Sequence, residues 1–248
     1  MRRVLLKLVG LIILVLLMPI PLLSQNDLDG FAARVHRTPQ GIMPYRLFVP
    51  KPYDSGKKYP LILWLHGSGG AGNDNRKQIT LASTQGTHIW TRPENQAKNP
   101  SFVLAPQSAS GKAWITPGQP DLVLEILAAV QKEFSIDTAR LYVAGQSMGG
   151  YGTWELIIRK PALFAAAIPL CGGGRFMDAS VLAKMPIWAF HGAIDATVSV
   201  YESRKMIDAI RKAGGSPRYT EYPRVGHEVW IPAFKEPGLI DWVFAQHK

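Results

Sequence analysis

One serine lies between two glycines in the segment GQSMG at residues 145–149. The segment directly follows an apolar run at residues 141–144, and a stretch with helical character begins after it. At such a sharp strand-to-helix turn the serine hydroxyl points out of the sheet, and the glycines avoid clashes with the neighbouring strand and helix. This context, more than the five residues themselves, predicts Ser147 as a nucleophile for acyl transfer.

A serine hydroxyl is a poor nucleophile until a base accepts its proton and an acid orients that base. In sheets that carry this turn, the acid and then the base follow the serine along the chain. Asp195 follows an apolar run at residues 187–190, and His227 follows a predicted strand at residues 218–222. We therefore predict Asp195 as the acid and His227 as the base, with Asp178 as the alternative acid.

A glycine-rich loop, HGSGG at residues 66–70, follows another apolar run. In acyl-transfer enzymes the loop at this place donates a backbone amide to the oxyanion, and its glycines let the backbone approach the substrate. We predict the amides of Ser68 and Met148 as the two donors. Gly69 is an alternative to Ser68 and a candidate substrate contact.

The same loop extends into a literal GxGxxG pattern at residues 67–72, which is also typical of dinucleotide-binding proteins. That kind of site needs an acidic residue at the end of the next strand to bind the ribose. Here the corresponding run ends in APQ at residues 105–107. We therefore expect no nucleotide cofactor, and the sequence indicates no other cofactor.

The single cysteine, Cys171, follows an apolar run and precedes three glycines. One cysteine excludes an intramolecular disulfide and a zinc site built from cysteines, and no metal site is expected. A catalytic thiol would need its own base, so Cys171 is predicted to pack beside the site. His191 is assigned a structural role at its strand end, whereas Trp114 and Trp230 are candidate substrate contacts.

Ser147, Asp195 and His227 can meet only if the strands before them end at the same edge of a sheet. Five short apolar runs alternate with helical patterns, and their continuous apolarity is typical of parallel strands that are covered on both faces. A more alternating segment at residues 45–49 is predicted as an edge strand. The apolar runs occupy residues 61–65, 102–105, 141–144, 166–170 and 187–190.

Helices are predicted between the runs. An apolar stripe with helical spacing follows Pro120. Another helix is predicted from Ser199, where Glu202 would complete a capping box, and Gly214 would end it. The last helix is predicted at residues 238–246. Strands that alternate with helices indicate an α/β fold with a mostly parallel sheet and helices on both faces.

The chain has 248 residues, of which 47% are hydrophobic and 19% are charged. This balance is typical of a globular chain, and the length suits one domain. Because no linker is visible, residues 25–248 are predicted to form one catalytic domain. The formal net charge is +10, but the basic residues are scattered, whereas a nucleic-acid surface would cluster them. No nucleic-acid partner is therefore expected.

The first 24 residues have the composition of a targeting segment. A basic start precedes an apolar run at residues 8–18, which Pro19 and Pro21 then interrupt. The run is short for a transmembrane helix and is typical of a secretory signal peptide. We predict a secreted or periplasmic protein. The alternative is an uncleaved N-terminal anchor, in which case the protein would contact a membrane.

These motifs together resemble the α/β-hydrolase superfamily, and more closely its carboxylesterase and "predicted peptidase" branch near the feruloyl esterases and polyhydroxybutyrate depolymerases. The resemblance implies Ser147 as nucleophile, Asp195 as acid and His227 as base. The chain departs from the lid-bearing relatives, because only residues 172–185 separate the strand before Cys171 from the strand before Asp195. We therefore expect an open site without a large lid. The matching segments are LWLHGSGGAGND, FSIDTARLYVAGQSMGGYGTWEL, PLCGGG, PIWAFHGAIDATVSV and EYPRVGHEVW.

The leading hypothesis is an exported serine esterase that cleaves carboxylic esters, either small molecules or esters linked to polysaccharides. The family resemblance implies short acyl, acetyl or feruloyl groups as the acyl part. A serine peptidase of the prolyl-oligopeptidase type is the alternative within the same chemistry. A non-catalytic binding protein on a hydrolase scaffold is the alternative from another class. The sequence does not indicate an oligomeric state.

Overall fold

The computed structural model of the protein describes residues 27–80 and 84–248. Its centre is an eight-stranded sheet with the strand order β1-β2-β4-β3-β5-β6-β7-β8. The five apolar runs that were predicted as strands all coincide with strands of this sheet, apart from Ile187, which lies one residue before its strand. The strands are β1 (Phe31–Thr38), β2 (Gly41–Phe48), β3 (Tyr59–Leu65), β4 (Phe102–Pro106), β5 (Ile136–Gln146), β6 (Ala166–Leu170), β7 (Trp188–Gly192) and β8 (Arg218–Tyr222).

The sheet is antiparallel at one end only. β1 pairs antiparallel with β2, and β2 pairs antiparallel with β4. The pairs from β4 through β3, β5, β6 and β7 to β8 are parallel. The carboxyl ends of these six strands therefore lie along one edge, so the loops that follow β3, β5, β7 and β8 can meet there.

Helices cover both faces of the sheet, as the sequence predicted. Successive residues of β3 alternate between two cores: Leu61 and Leu63 pack with α3, α4 and α5, whereas Ile62 and Trp64 pack with α1, α6 and α7. The helices are α1 (Thr84–Thr91), α2 (Pro93–Lys98), α3 (Gln119–Glu133), α4 (Met148–Arg159), α5 (Tyr201–Lys212), α6 (Trp230–Ala233) and α7 (Leu239–Phe244).

The predicted edge strand at residues 45–49 coincides with the second half of β2, which is not at the edge. The edge belongs to β1, which sequence analysis missed, and β1 forms a hairpin with β2 in which Thr38 pairs with Gly41. The outer strand carries several charged side chains and is only partly buried. An edge strand has one paired side and one solvated side, so it needs no continuous apolar run.

The predicted capping box at the start of α5 does not form. The helix begins at Tyr201, and the Glu202 side chain pairs with Lys205 at 2.7 Å instead of turning back to Ser199. Gly214 ends the helix as predicted, with φ +85° and its amide donating to the carbonyl oxygen of Arg211. The last helix is shorter than predicted and spans Leu239–Phe244.

Two further expectations concern the N-terminal segment and the connection between β6 and β7. The predicted targeting segment, residues 1–24, lies outside the described residues, and among those residues no helix combines the length and apolarity needed to cross a bilayer. Between β6 and β7 the chain forms only a 3₁₀ helix, Phe176–Leu182. The described part of the chain therefore has no large lid at that position.

Candidate active site

Ser147 occupies the turn between β5 and α4 in a strained conformation, with φ 54° and ψ −117°. Its amide donates to the carbonyl oxygen of Leu170 at 2.9 Å, which ties the turn to β6. The flanking glycines have no room for a side chain. A Cβ atom on Gly145 would lie 2.3 Å from the carbonyl oxygen of Gly149, and one on Gly149 would lie 1.9 Å from that of Leu65.

The three residues predicted as nucleophile, acid and base meet at this edge of the sheet. His227 Nε2 lies 2.9 Å from Ser147 Oγ, and His227 Nδ1 lies 2.8 Å from Asp195 Oδ2. With the hydrogen on Nδ1 donated to the carboxylate, Nε2 is free to accept the serine hydroxyl hydrogen. This arrangement can activate the hydroxyl as a nucleophile.

The Asp195 carboxylate is fully buried and held by the loop after β7. Its Oδ1 accepts hydrogen bonds from the amides of Thr197 and Val198 at 2.8 and 2.9 Å. Burial alone would raise the pKa of Asp195, but the Val198 amide, the His227 ring and the Thr197 amide outweigh it and lower the pKa. Asp195 is therefore charged near neutral pH.

The alternative acid lies elsewhere. Asp178 is in the 3₁₀ helix after β6, where its carboxylate pairs with Arg175 at 2.8 Å. Its side chain is 45% exposed and is not a partner of His227. The geometry therefore favours Asp195.

The two predicted oxyanion donors each begin a helix. Ser68 is the first residue of a 3₁₀ helix, Ser68–Gly70, and Met148 is the first residue of α4. Amides in the first turn of a helix have no acceptor within that helix, so they remain available to a ligand. The two turns are in contact, because a Cβ on Gly149 would lie 2.9 Å from the carbonyl oxygen of His66.

His66 fixes the loop that carries Ser68. The fully buried ring donates from Nδ1 to the carbonyl oxygen of Gly67 at 2.6 Å, and Nε2 accepts from the Ser108 amide at 3.1 Å. The indole of Trp114 donates to the carbonyl oxygen of His66 at 2.9 Å. Trp114 is only 2% exposed, so its ring packs behind the loop and supports it. The prediction that Trp114 contacts substrate is therefore wrong.

Acid should destabilise the protein through His66. Burial lowers the pKa of this imidazole from 6.5 to about 4. Between these values the unfolded chain binds a proton that the folded protein does not, so the free energy of unfolding should fall by roughly 3 kcal/mol as the pH drops from 6.5 to 4. Urea unfolding at pH 7.5 and 4.5 measures the change.

The matched variant is His66→Gln, which cannot bind that proton. Its free energy of unfolding should be lower at pH 7.5 but should change less between the two pH values. Equal losses in the variant and the wild type would show that another group causes the acid sensitivity.

Trp230, the other predicted substrate contact, packs against the base. Its ring meets His227 edge to face with 5.6 Å between ring centroids, and it is largely buried. The Trp230 ring therefore supports the His227 imidazole and leaves little exposed surface for a substrate. Gly69 is exposed at the mouth of the oxyanion loop, where substrate contact is sterically possible.

A cleft of about 460 Å³ lies next to the first turns of α4, the helix that follows Ser147, and most of its lining was not predicted from the sequence. Tyr151 contributes to the lining from α4, and its amide donates to the carbonyl oxygen of Ser147 at 3.1 Å, which places the Tyr151 backbone about one helical turn from the serine. The sequence carried one signal for Tyr151: it follows Ser147 by four residues in a predicted helix, so the two residues lie one turn apart. The lining residues are Ile115, Tyr151, Glu155, Gly173, Gly174 and Arg175.

Cys171 is buried beside the acid with φ 39°. Ligand atoms of Cys171, Asp195 and His227 lie within 4.8 Å of one another. The carboxylate and the imidazole are already hydrogen bonded to each other, which explains why they are close without a metal ion. Burial raises the pKa of the Cys171 thiol, so almost no thiolate forms at neutral pH.

Cys171→Ala should therefore keep kcat within about threefold of the wild type, because an uncharged thiol is no nucleophile. Iodoacetamide should react slowly with the folded wild type and rapidly after unfolding. Steady-state ester hydrolysis and mass spectrometry measure the two effects. Loss of activity in a folded Cys171→Ala variant would instead indicate a cysteine mechanism.

Comparison with protein families finds one match that covers most of the chain. The Esterase model, described as "Putative esterase", matches residues 37–218. The crystal structure of a thermostable esterase is 38% identical to this chain with a TM-score of 0.84, over 89% of this chain and 64% of that chain. This similarity agrees with the predicted α/β-hydrolase fold.

Two fungal relatives match over shorter segments. A probable feruloyl esterase C of Aspergillus terreus is 31% identical over 131 residues, 52% of this chain and 46% of the fungal protein. A bifunctional acetylxylan esterase/xylanase of Neocallimastix patriciarum is 30% identical over 153 residues, 60% of this chain and 21% of that protein. The chain thus matches less than half the length of either relative.

Proposed function

The chain belongs to the esterase family whose model it matches, and from this premise we propose that it hydrolyses carboxylic esters through a serine acyl-enzyme. The observation that carries the proposal is the continuous hydrogen-bonded path from Ser147 through His227 to Asp195. Three side chains from three separate loops have the polarity, spacing and order that acyl transfer requires.

In the first step Ser147 Oγ attacks the ester carbonyl carbon while its proton moves to His227 Nε2. The carbonyl electron pair moves to the oxygen, which the amides of Ser68 and Met148 stabilise. The carbonyl then re-forms, the carbon–oxygen bond to the alcohol breaks, and His227 returns the proton to the departing alkoxide. The acyl group remains on Ser147.

In the second step water replaces the alcohol. His227 Nε2 takes a proton from water, and the hydroxide oxygen attacks the acyl carbon. Collapse of the tetrahedral intermediate breaks the bond to Ser147 Oγ, which regains its proton from His227. Throughout, charged Asp195 compensates the positive charge that appears transiently on the imidazole.

For the substrate, we propose acetyl or feruloyl esters of the kind named for the two fungal relatives. The cleft beside the serine supports this assignment because it is open and partly apolar, with the Ile115 side chain 52% exposed at its rim. A hydrophobic ring or a short acyl group would fit there, and Arg175 and Glu155 could bind its polar substituents. We also propose export, on the basic start and the interrupted apolar run of residues 1–24.

Matched pairs of substrates test this function. The purified protein is assayed on the 4-nitrophenyl ester and the 4-nitroanilide of the same acyl group, for acetyl and for feruloyl groups. Esters should be cleaved far faster than anilides, because 4-nitrophenolate leaves more readily than the amine of 4-nitroaniline. Comparable anilide hydrolysis would favour a peptidase, and no hydrolysis of either would favour a binding protein.

A further inference from the structure

A second buried histidine lies behind the acid and takes no part in the proposed steps. His191, on β7, is fully buried. Its Nε2 lies 3.0 Å from the carbonyl oxygen of Val198 and 3.4 Å from Asp195 Oδ2. Its Nδ1 lies 2.7 Å from Ser203 Oγ on α5. The ring therefore touches both the carboxylate and the loop that holds it.

The partners of His191 fix its tautomer. A carbonyl oxygen only accepts hydrogen bonds, so Nε2 carries the hydrogen and donates it to Val198. In the neutral ring, Nδ1 then accepts the hydroxyl hydrogen of Ser203. Ser203 Oγ also lies 2.9 Å from the carbonyl oxygen of Gly172, but its single hydrogen serves one acceptor at a time.

The surroundings favour a neutral ring. Burial lowers the pKa of His191, against the opposing effects of the Val198 carbonyl and the Asp195 carboxylate. The other ionisable groups that face it are His227, which also lowers its pKa, and Glu221, its register partner on β8. Glu221 is engaged by Arg204, so its charge is already compensated.

One peptide connects this ring to the catalytic acid. The carbonyl oxygen of Val198 accepts from His191, while the amide of Val198 donates to Asp195 Oδ1 at 2.9 Å. The same ring nitrogen also faces Oδ2, the oxygen that accepts from His227. Rotation of the carboxylate away from His227 would move it against the His191 ring.

We propose that His191 is a positioning residue of the ester-cleaving site, and that its neutral ring holds the Val198 peptide and the Asp195 carboxylate in place for His227. The inference rests on the proposed function, because it assigns a role within the same reaction. His191 acts through Asp195 and does not touch substrate.

The test compares three variants. His191→Phe keeps a ring but loses both polar contacts, and it should lower kcat by about 10- to 100-fold with KM within twofold, because a small misplacement of a catalytic group is costly. His191→Gln should recover most of that loss, since its amide can donate to Val198. Ile207→Ala, in the buried face of α5, is the structural control: it should lower the melting temperature and leave kcat unchanged.

A spectroscopic readout separates positioning from general destabilisation. The proton between His227 Nδ1 and Asp195 should give a far-downfield NMR signal in the wild type, and this signal should shift or broaden in His191→Phe and stay in place in Ile207→Ala. Unchanged kcat and an unchanged signal in His191→Phe would overturn the proposal. If His191→Phe does not fold, Ser203→Ala decides by the same two criteria.

Failure of the proposed function can be distinguished from failure of the positioning role of His191. In that case the wild type would cleave no ester in the matched panel. The NMR signal would still report whether His191 holds Asp195 against His227, so its response in His191→Phe supports or overturns the positioning role independently.

Discussion

Ser147→Ala should lower kcat for ester hydrolysis by about 10⁴- to 10⁶-fold, which is the loss expected when the nucleophile of such a triad is removed. The protein should remain folded, because the hydroxyl has one hydrogen-bond partner in the site, His227, and alanine keeps the Cβ atom in the same strained turn. The melting temperature should therefore stay close to that of the wild type. Steady-state kinetics on a 4-nitrophenyl ester measure the loss.

Ser180→Ala is the matched control, since Ser180 is an exposed serine of the 3₁₀ helix after β6. It should retain wild-type kcat. Retention of more than about a tenth of wild-type activity in Ser147→Ala would remove the serine from the mechanism, because residual catalysis by the rest of a triad site is far smaller.

Asp195→Asn should lower kcat by about 10⁴-fold. An amide can present its NH₂ group to His227 Nδ1, which favours the tautomer with the hydrogen on Nε2. That tautomer cannot accept the proton of Ser147. The substituted side chain also loses the negative charge that stabilises the imidazolium in each step. The measurement is kcat at neutral pH, where the lowered pKa of Asp195 keeps the wild-type carboxylate ionised.

Asp178→Asn provides the comparison, because it removes a carboxylate that pairs with Arg175 and not with His227. We expect kcat within about twofold of the wild type, since exposed ion pairs contribute little. The opposite pattern, a large loss in Asp178→Asn and a small one in Asp195→Asn, would transfer the role of the acid to Asp178.

The strands and the residues Ser147, Asp195 and His227 could be predicted because each leaves a local signal in the sequence. A parallel strand buried on both faces is a continuous apolar run, as in β3 and β7. A turn with no space for side chains requires glycines, as at Gly145 and Gly149. Once the sheet is parallel, residues that follow its strands must gather at one edge.

The features that were missed depend on tertiary packing. β1 has no apolar run and was not predicted. It needs none, because its hydrogen bonds to β2 stabilise it at the sheet edge. Trp114 and Trp230 are near the site, but only the packed structure shows that their rings face inward. The lining of the cleft comes from separate segments of the chain, so no single stretch of sequence predicts it. The network around His191 joins three elements and is equally invisible in the sequence.

Covalent labelling with a fluorophosphonate, followed by peptide mass spectrometry, tests directly whether Ser147 is the nucleophile. Such a reagent phosphonylates an activated serine oxygen and expels fluoride. We expect one adduct per wild-type molecule, located on Ser147, with ester hydrolysis lost in proportion and no adduct in Ser147→Ala. An adduct on another residue, or an unlabelled wild type that still cleaves esters, would contradict the proposed mechanism.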